Sequence, residues 1–280
     1  MRIAFFTICA AMAPLLPAQH TSFVSAPAKS WAVDAAAKEV DIINHSGSYI
    51  RYRQRAIDDR GDELRDVIES KDGAVARLIM RDNRPLTPEE DQAERDRLTG
   101  LLDHPSDYAR HVKNENSSKK MAIDIIKVMP DAMIYTYAPD QSPSHESSAP
   151  QVVIDYVPDP AFNPPNTTSV ALTGLRGRIW IDANAKTIVH MTGDIFRPVN
   201  FGWGMLAHVY PGGKLDFEQA SAAGSRWNMT SFHEDVTARA LMVKTIAVKK
   251  EFQSLDFQPM PSPMSYQDAI HLLLNTPLPK

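Results

Sequence analysis

Five long runs between residues 174 and 256 alternate apolar and polar side chains, and any fold for this chain has to place them as strands. They cover 174–182, 185–196, 205–218, 226–238 and 241–256. A strand points successive side chains to opposite faces, so such runs give one face to a core and the other to water. In GRIWIDANAKTIVHMTGDIF, Ile179 and Ile181 share a face and Asp182 to Lys186 make the turn. Val189, Met191 and Ile195 then continue an apolar face on the returning strand. Three shorter runs at 49–57, 63–70 and 73–81, separated by Gly61 and by Asp72-Gly73, predict an antiparallel meander. Two further strands are expected at 132–138 and 151–157, joined by a serine- and proline-rich loop from Pro139 to Pro150.

Helical periodicity appears in five places. Residues 31–44 place Trp31, Ala35, Val40 and Ile43 along one side. Thr87-Pro88-Glu89-Glu90 combines a favoured cap, proline at the first helical position and glutamate three residues after the cap. Leu98, Leu101 and Leu102 give that helix its apolar side, and Pro105 ends it. Two more helices are expected at 106–113 and 118–129, and Tyr266 to Leu274 closes the chain with an amphipathic turn of helix. The pattern predicts a single mainly β (α+β) domain over 31–280, with a helical insertion around 87–129.

The N-terminus reads as a secretion signal over residues 1–18. Arg2 supplies a positive start, Ile3 to Ala13 an apolar stretch, and Ala18 a small residue suited to cleavage. The stretch is shorter than the roughly 20 residues that span a bilayer. Residues 19–30 then form a flexible leader, and no later segment reads as transmembrane. The expectation is an exported, periplasmic protein. Cleavage would remove Cys9, the only cysteine, leaving no disulfide or thiol chemistry. The net charge of −4 carries no concentrated basic surface and argues against nucleic acid.

The block Gly177-Arg178-Ile179-Trp180-Ile181-Asp182, followed by Lys186-Thr187-Ile188-Val189, resembles the central hairpin of outer-membrane lipoprotein-sorting-like proteins. That family includes the periplasmic lipoprotein carrier and its outer-membrane receptor. The resemblance implies a curved antiparallel sheet or half-barrel enclosing helices, sometimes around an apolar cavity. It also implies noncatalytic binding or transport of a lipid, lipoprotein or other apolar ligand in the bacterial envelope. The insertion at 87–129 departs from the carrier pattern.

Met191, Phe196, Phe201, Trp203, Met205 and Leu206 form a candidate mouth for such a ligand, with internal core as the plainer reading. Arg51, Arg53 and Arg55 share one strand face by their spacing of two. They are either a solvated face or contacts for an anionic group. The partners expected are a lipid or acylated protein, or an envelope protein docking on a module whose core is filled by its own side chains.

Catalytic and metal motifs are not found: HExxH, GxSxG, a dinucleotide fingerprint and a Walker loop do not occur. His104, His111 and Glu115 lack a ligand spacing, His145-Glu146 falls in a loop, and on a strand only His233 and Asp235 of the 233–235 run converge. No catalytic residue, metal site or cofactor is therefore assigned. A carboxylate pair assembled only by folding, as in a hydrolase, is the route by which an enzyme would escape such a search.

Overall fold

A computed structural model describes residues 26–44, 49–144, 149–202, 205–222, 226–240 and 244–279. The expected signal segment, the His145-Glu146 pair and Trp203 lie outside the described residues.

The first helix, α1 (Ala28–Asn44), buries Trp31, Ala32, Ala35 and Glu39. The meander follows as β1 (Ile50–Asp58), β2 (Gly61–Ser70) and β3 (Gly73–Arg81), ending in the short β4 (Arg84–Pro85). Next comes α2 (Pro88–Asp103), capped as its sequence predicts. The Thr87 hydroxyl accepts from the Glu90 N–H at 3.2 Å, and the Glu90 carboxylate accepts from the Thr87 N–H at 2.8 Å. The two helices expected at 106–113 and 118–129 are instead one, α3 (Pro105–Ala132). At 28 residues it is about 42 Å long.

The remaining strands are β5 (Met133–Tyr137), β6 (Gln151–Pro158), β7 (Leu175–Asp182), β8 (Ile188–Ile195), β9 (Val199–Phe201), β10 (Ala207–Val209), β11 (Lys214–Ala222), β12 (Arg226–Ala240) and β13 (Lys244–Pro259). The run expected at 205–218 is two strands, because Pro211-Gly212-Gly213 interrupts it. The chain closes with α4 (Tyr266–Asn275), which buries Tyr266, Ala269, Ile270 and Leu273 on one stripe.

All thirteen strands form one sheet, in the order β4-β3-β2-β1-β13-β12-β11-β8-β7-β6-β5, with β10 on β12 and β9 on β10. Pairing is antiparallel throughout. Cross-strand partners share a face, so the register assigns every side chain to one of two sides. The front carries Arg51, Arg53, Arg55, Trp180 and His190; the back carries Phe217, Phe232, Phe252, Ile179 and Ile154.

The expected half-barrel enclosing helices is corrected by this arrangement. The sheet is open, with separate edges at β4 and β5. Its helices also lie on opposite faces at opposite ends, so no single concave side encloses them. At the β5–β8 end, α1 and the last turns of α3 cover the back, where Trp31, Ala35 and Met129 pack with Ile154, Tyr156, Ile179 and Ile181. At the β1–β3 end, α4 covers the front, where Ile270 and Leu273 pack with Ile68 and Val75. Tyr108 near the start of α3 joins this second core, stacked on Tyr266 at 3.8 Å. Thus α3 links the two cores.

Two glycines set the geometry of the central hairpin. Gly177 on β7 faces Gly193 on β8, and Tyr156 of β6 reaches across them to donate to the Thr192 carbonyl at 3.0 Å. A Cβ at Gly177 would stand 1.9 Å from that same carbonyl oxygen. Gly177→Ala is therefore expected to cost about 3 kcal/mol, as overpacking of a core does when backbone must move. A chemical-denaturation midpoint within experimental error of the wild type would refute that account.

Candidate docking edge

A sheet edge offers a row of unpaired N–H and C=O groups, and folded proteins protect such rows. The β3 edge is protected by side chains. The Leu78 N–H donates to Glu94 Oε1 at 2.8 Å, Arg97 Nη2 donates to the Ala76 carbonyl at 2.7 Å, and the Ala74 N–H donates to Glu115 Oε2 at 3.4 Å. Carboxylates and a guanidinium from α2 and α3 thus take the place of a neighbouring strand.

The overhanging end of β13 differs. Strand β13 pairs with β1 only from Glu251 onward, while its pairing with β12 continues out to Lys244. Along Lys244–Lys250 no strand lies on the outer side among the described residues. The direction of the free amides follows from the register. The Thr237 carbonyl accepts from the Tyr210 N–H at 2.9 Å, so Thr237 turns its backbone polar groups away from β13. Its cross-strand partner Ala247 then turns its own N–H and C=O away from β12, as do Thr245 and Lys249. Three alternate residues thus face outward in an extended, exposed strand.

Side chains on the back of this segment form a regular pattern. Lys244, Ile246, Val248 and Lys250 alternate with the outward residues, so two cations flank two aliphatic groups. Ile246 is 38 % exposed. It continues a cross-strand row through Ala238 on β12, Val209 on β10 and Val199 on β9. Val236 pairs with Val248 in the adjoining row.

The residues singled out from sequence fall in several places. Met191 packs against the core beneath α1 and α3. Phe201 lies on β9, and its carbonyl accepts from the Leu206 N–H at 3.2 Å. Met205 and Leu206 are exposed, at 54 % and 56 %. Phe196 is covered on its ring by Arg176 and Arg197. The structure therefore brings Phe201 and Leu206 together but sets Met191 apart from them.

Arg51, Arg53 and Arg55 do share the front face, and each has a carboxylate partner. Arg51 forks onto Asp66, Arg53 meets Asp256 at 3.2 Å, and Arg55 pairs with Asp62. Arg51 and Arg53 line a cavity of about 200 Å³ together with Asp66, Asp256, Gln258 and Thr276.

Of the histidines, His104 directs Nδ1 at the Gly100 carbonyl at the end of α2, and His111 stands beside Tyr108. Asp235 pairs with Lys249 at 3.0 Å. No described helix is long and apolar enough to cross a membrane. Sequence reasoning missed the β13 edge because its status depends on where β1 ends, although the alternation of Lys244, Ile246, Val248 and Lys250 is visible in the chain itself.

Comparison with known proteins finds no matching family model, no matching curated protein and no matching solved structure.

Proposed function

We propose that this protein is a noncatalytic interaction module that binds an extended segment of a partner protein along the outer edge of β13. The observation that carries the reading is the contrast between the β3 edge and the overhanging end of β13. The β3 edge is closed by side chains of the chain itself, whereas β13 leaves the Thr245, Ala247 and Lys249 backbone groups facing outward. Strand addition to such an edge draws affinity from main-chain hydrogen bonds and specificity from alternate side chains. Here Lys244, Ile246, Val248 and Lys250 favour a peptide with two apolar residues at alternate positions, flanked by acidic ones. The cores support the same reading, since α1 and α3 fill the back face at the β5–β8 end with the protein's own side chains. Export, expected from the N-terminal segment, would deliver the module to the bacterial envelope.

The test is fluorescence anisotropy of the full chain with a labelled seven-residue peptide alternating glutamate, valine, valine and glutamate with threonine. Saturable binding is expected, weakened at least tenfold by Ala247→Pro and by replacing the peptide's glutamates with lysines. Ala247→Pro removes an outward N–H and no bond to β12, so the fold is expected to persist. Equal binding by wild type and Ala247→Pro, or no saturable binding by the wild type, would overturn the proposal.

A further inference from the structure

On the opposite, front face, three strands bring together side chains that sequence spacing keeps apart. Asp216 and Glu218 are two residues apart on β11, so both carboxylates project from one face. His190 on β8 is the direct cross-strand partner of Glu218, and His233 on β12 is that of Asp216. The His190 Nε2 stands 3.1 Å from Asp216 Oδ1. One ligand atom each from His190, Asp216 and Glu218 can be chosen so that all lie within 4.8 Å of one another.

The imidazole is held in position by its neighbour. Trp180 of β7 stacks on the His190 ring with centroids 4.5 Å apart and planes 14° from parallel. The Trp180 indole is itself fixed, because its Nε1 donates to the Ser142 carbonyl at 3.1 Å. The His190 side chain is 13 % exposed and that of Asp216 42 %, so the group is reachable from solvent while its histidine stays ordered.

From this arrangement we infer that His190, Asp216 and Glu218 form a site for one divalent transition-metal ion of the Zn²⁺ class. Zn²⁺ binds imidazole nitrogen and carboxylate oxygen at about 2.0–2.2 Å in a tetrahedral set. Ligand atoms around such an ion lie roughly 3.4 Å apart, a spacing the His190–Asp216 pair already approaches. A Glu218 carboxylate oxygen already lies within 4.8 Å of the other two ligand atoms. The fourth position falls to water or to His233, which faces Asp216 across the strand pair. Imidazole in the set favours Zn²⁺, Ni²⁺ and Cu²⁺ over Mg²⁺ and Ca²⁺, which prefer oxygen alone. The site lies on the opposite face from Ile246 and Val248 and does not depend on the docking edge.

Isothermal titration of the full chain with ZnCl₂ tests the assignment. One ion per chain is expected, with at least tenfold weaker binding in His190→Ala and in Glu218→Gln. The second variant keeps side-chain shape and one acceptor oxygen, and its circular dichroism is expected to match the wild type, which separates a loss of binding from a folding failure. A second readout is Cu²⁺ quenching of tryptophan emission, expected to lose its saturable component in Trp180→Phe. Absence of saturable Zn²⁺ uptake, or uptake unchanged in Glu218→Gln, would overturn the site.

Discussion

Replacing Arg77 with methionine is expected to destabilise the protein by about 3–5 kcal/mol, the range seen when one partner of a buried ion pair is removed. Arg77 sits on β3 under α4 and is 1 % exposed. Its Nη1 donates to the Leu273 carbonyl and, at 2.7 Å, to the Thr276 carbonyl. Its Nη2 donates to Asp91 at 2.7 Å. The last carbonyls of a helix have no partner within the helix and carry partial negative charge, so a buried guanidinium satisfies both needs at once. Asp91 extends the network to Arg95, which donates to the Leu274 carbonyl at 3.1 Å. Methionine replaces only the stem of the side chain and donates nothing. Urea unfolding followed by circular dichroism measures the loss, and a change below about 1 kcal/mol would show that α4 is held by apolar packing alone. Arg77→Lys is expected to recover only part, because an ammonium cannot reproduce the fork.

The second large effect is expected at Glu39, and its size depends on pH. Glu39 lies on α1 against the back of the sheet. Its Oε1 accepts from the Ile188 N–H at 3.0 Å and from Gln219 Nε2 at 2.6 Å. Burial outweighs these bonds and pushes its pKa from 4.5 up to about 7. A carboxyl with a raised pKa binds more protons folded than unfolded, so the contribution of Glu39 to stability is greatest near pH 4.5 and below, and falls as pH rises to about 7. The shift corresponds to roughly 3 kcal/mol at pH 8. Glu39→Gln keeps an oxygen for both donors and cannot ionise. It is expected to raise stability at pH 8 by up to that amount, to change little at pH 4.5, and to flatten the slope between. Parallel slopes for the two proteins in urea melts from pH 4.5 to 8 would remove Glu39 as the cause.

Local pattern revealed most of the elements and little of their assembly. The strands at 49–57, 63–70, 73–81 and 151–157 and the Thr87 cap are legible because period-two alternation and capping chemistry are properties of adjacent residues. The single helix α3 is not, since Asn114, Asn116, Ser117 and Ser118 are weak helix formers. Tertiary anchors override them: Tyr108 is buried at one end and Met129 at the other. In between, the Ser117 hydroxyl donates to the Lys113 carbonyl, and Lys119 pairs with Glu115 one turn away. Face assignment is also hidden from local reading. Whether α4 and α1 share a side depends on the pairing of β1 with β13, which no neighbouring residues encode. The same holds for His190 and Asp216, 26 residues apart and adjacent only through the β8–β11 register.

That β1–β13 pairing joins residues about 203 positions apart, as the Arg53–Asp256 contact illustrates. During synthesis β1 emerges about 203 residues before its partner, so the meander waits through that interval with one side unsatisfied. At roughly 5–20 residues per second that interval lasts on the order of ten seconds or more. Distant pairings of this kind also slow folding once the chain is complete. The middle of the finished sheet is therefore the part assembled last, and a chain halted before β13 would present β1 as an open template to any neighbour.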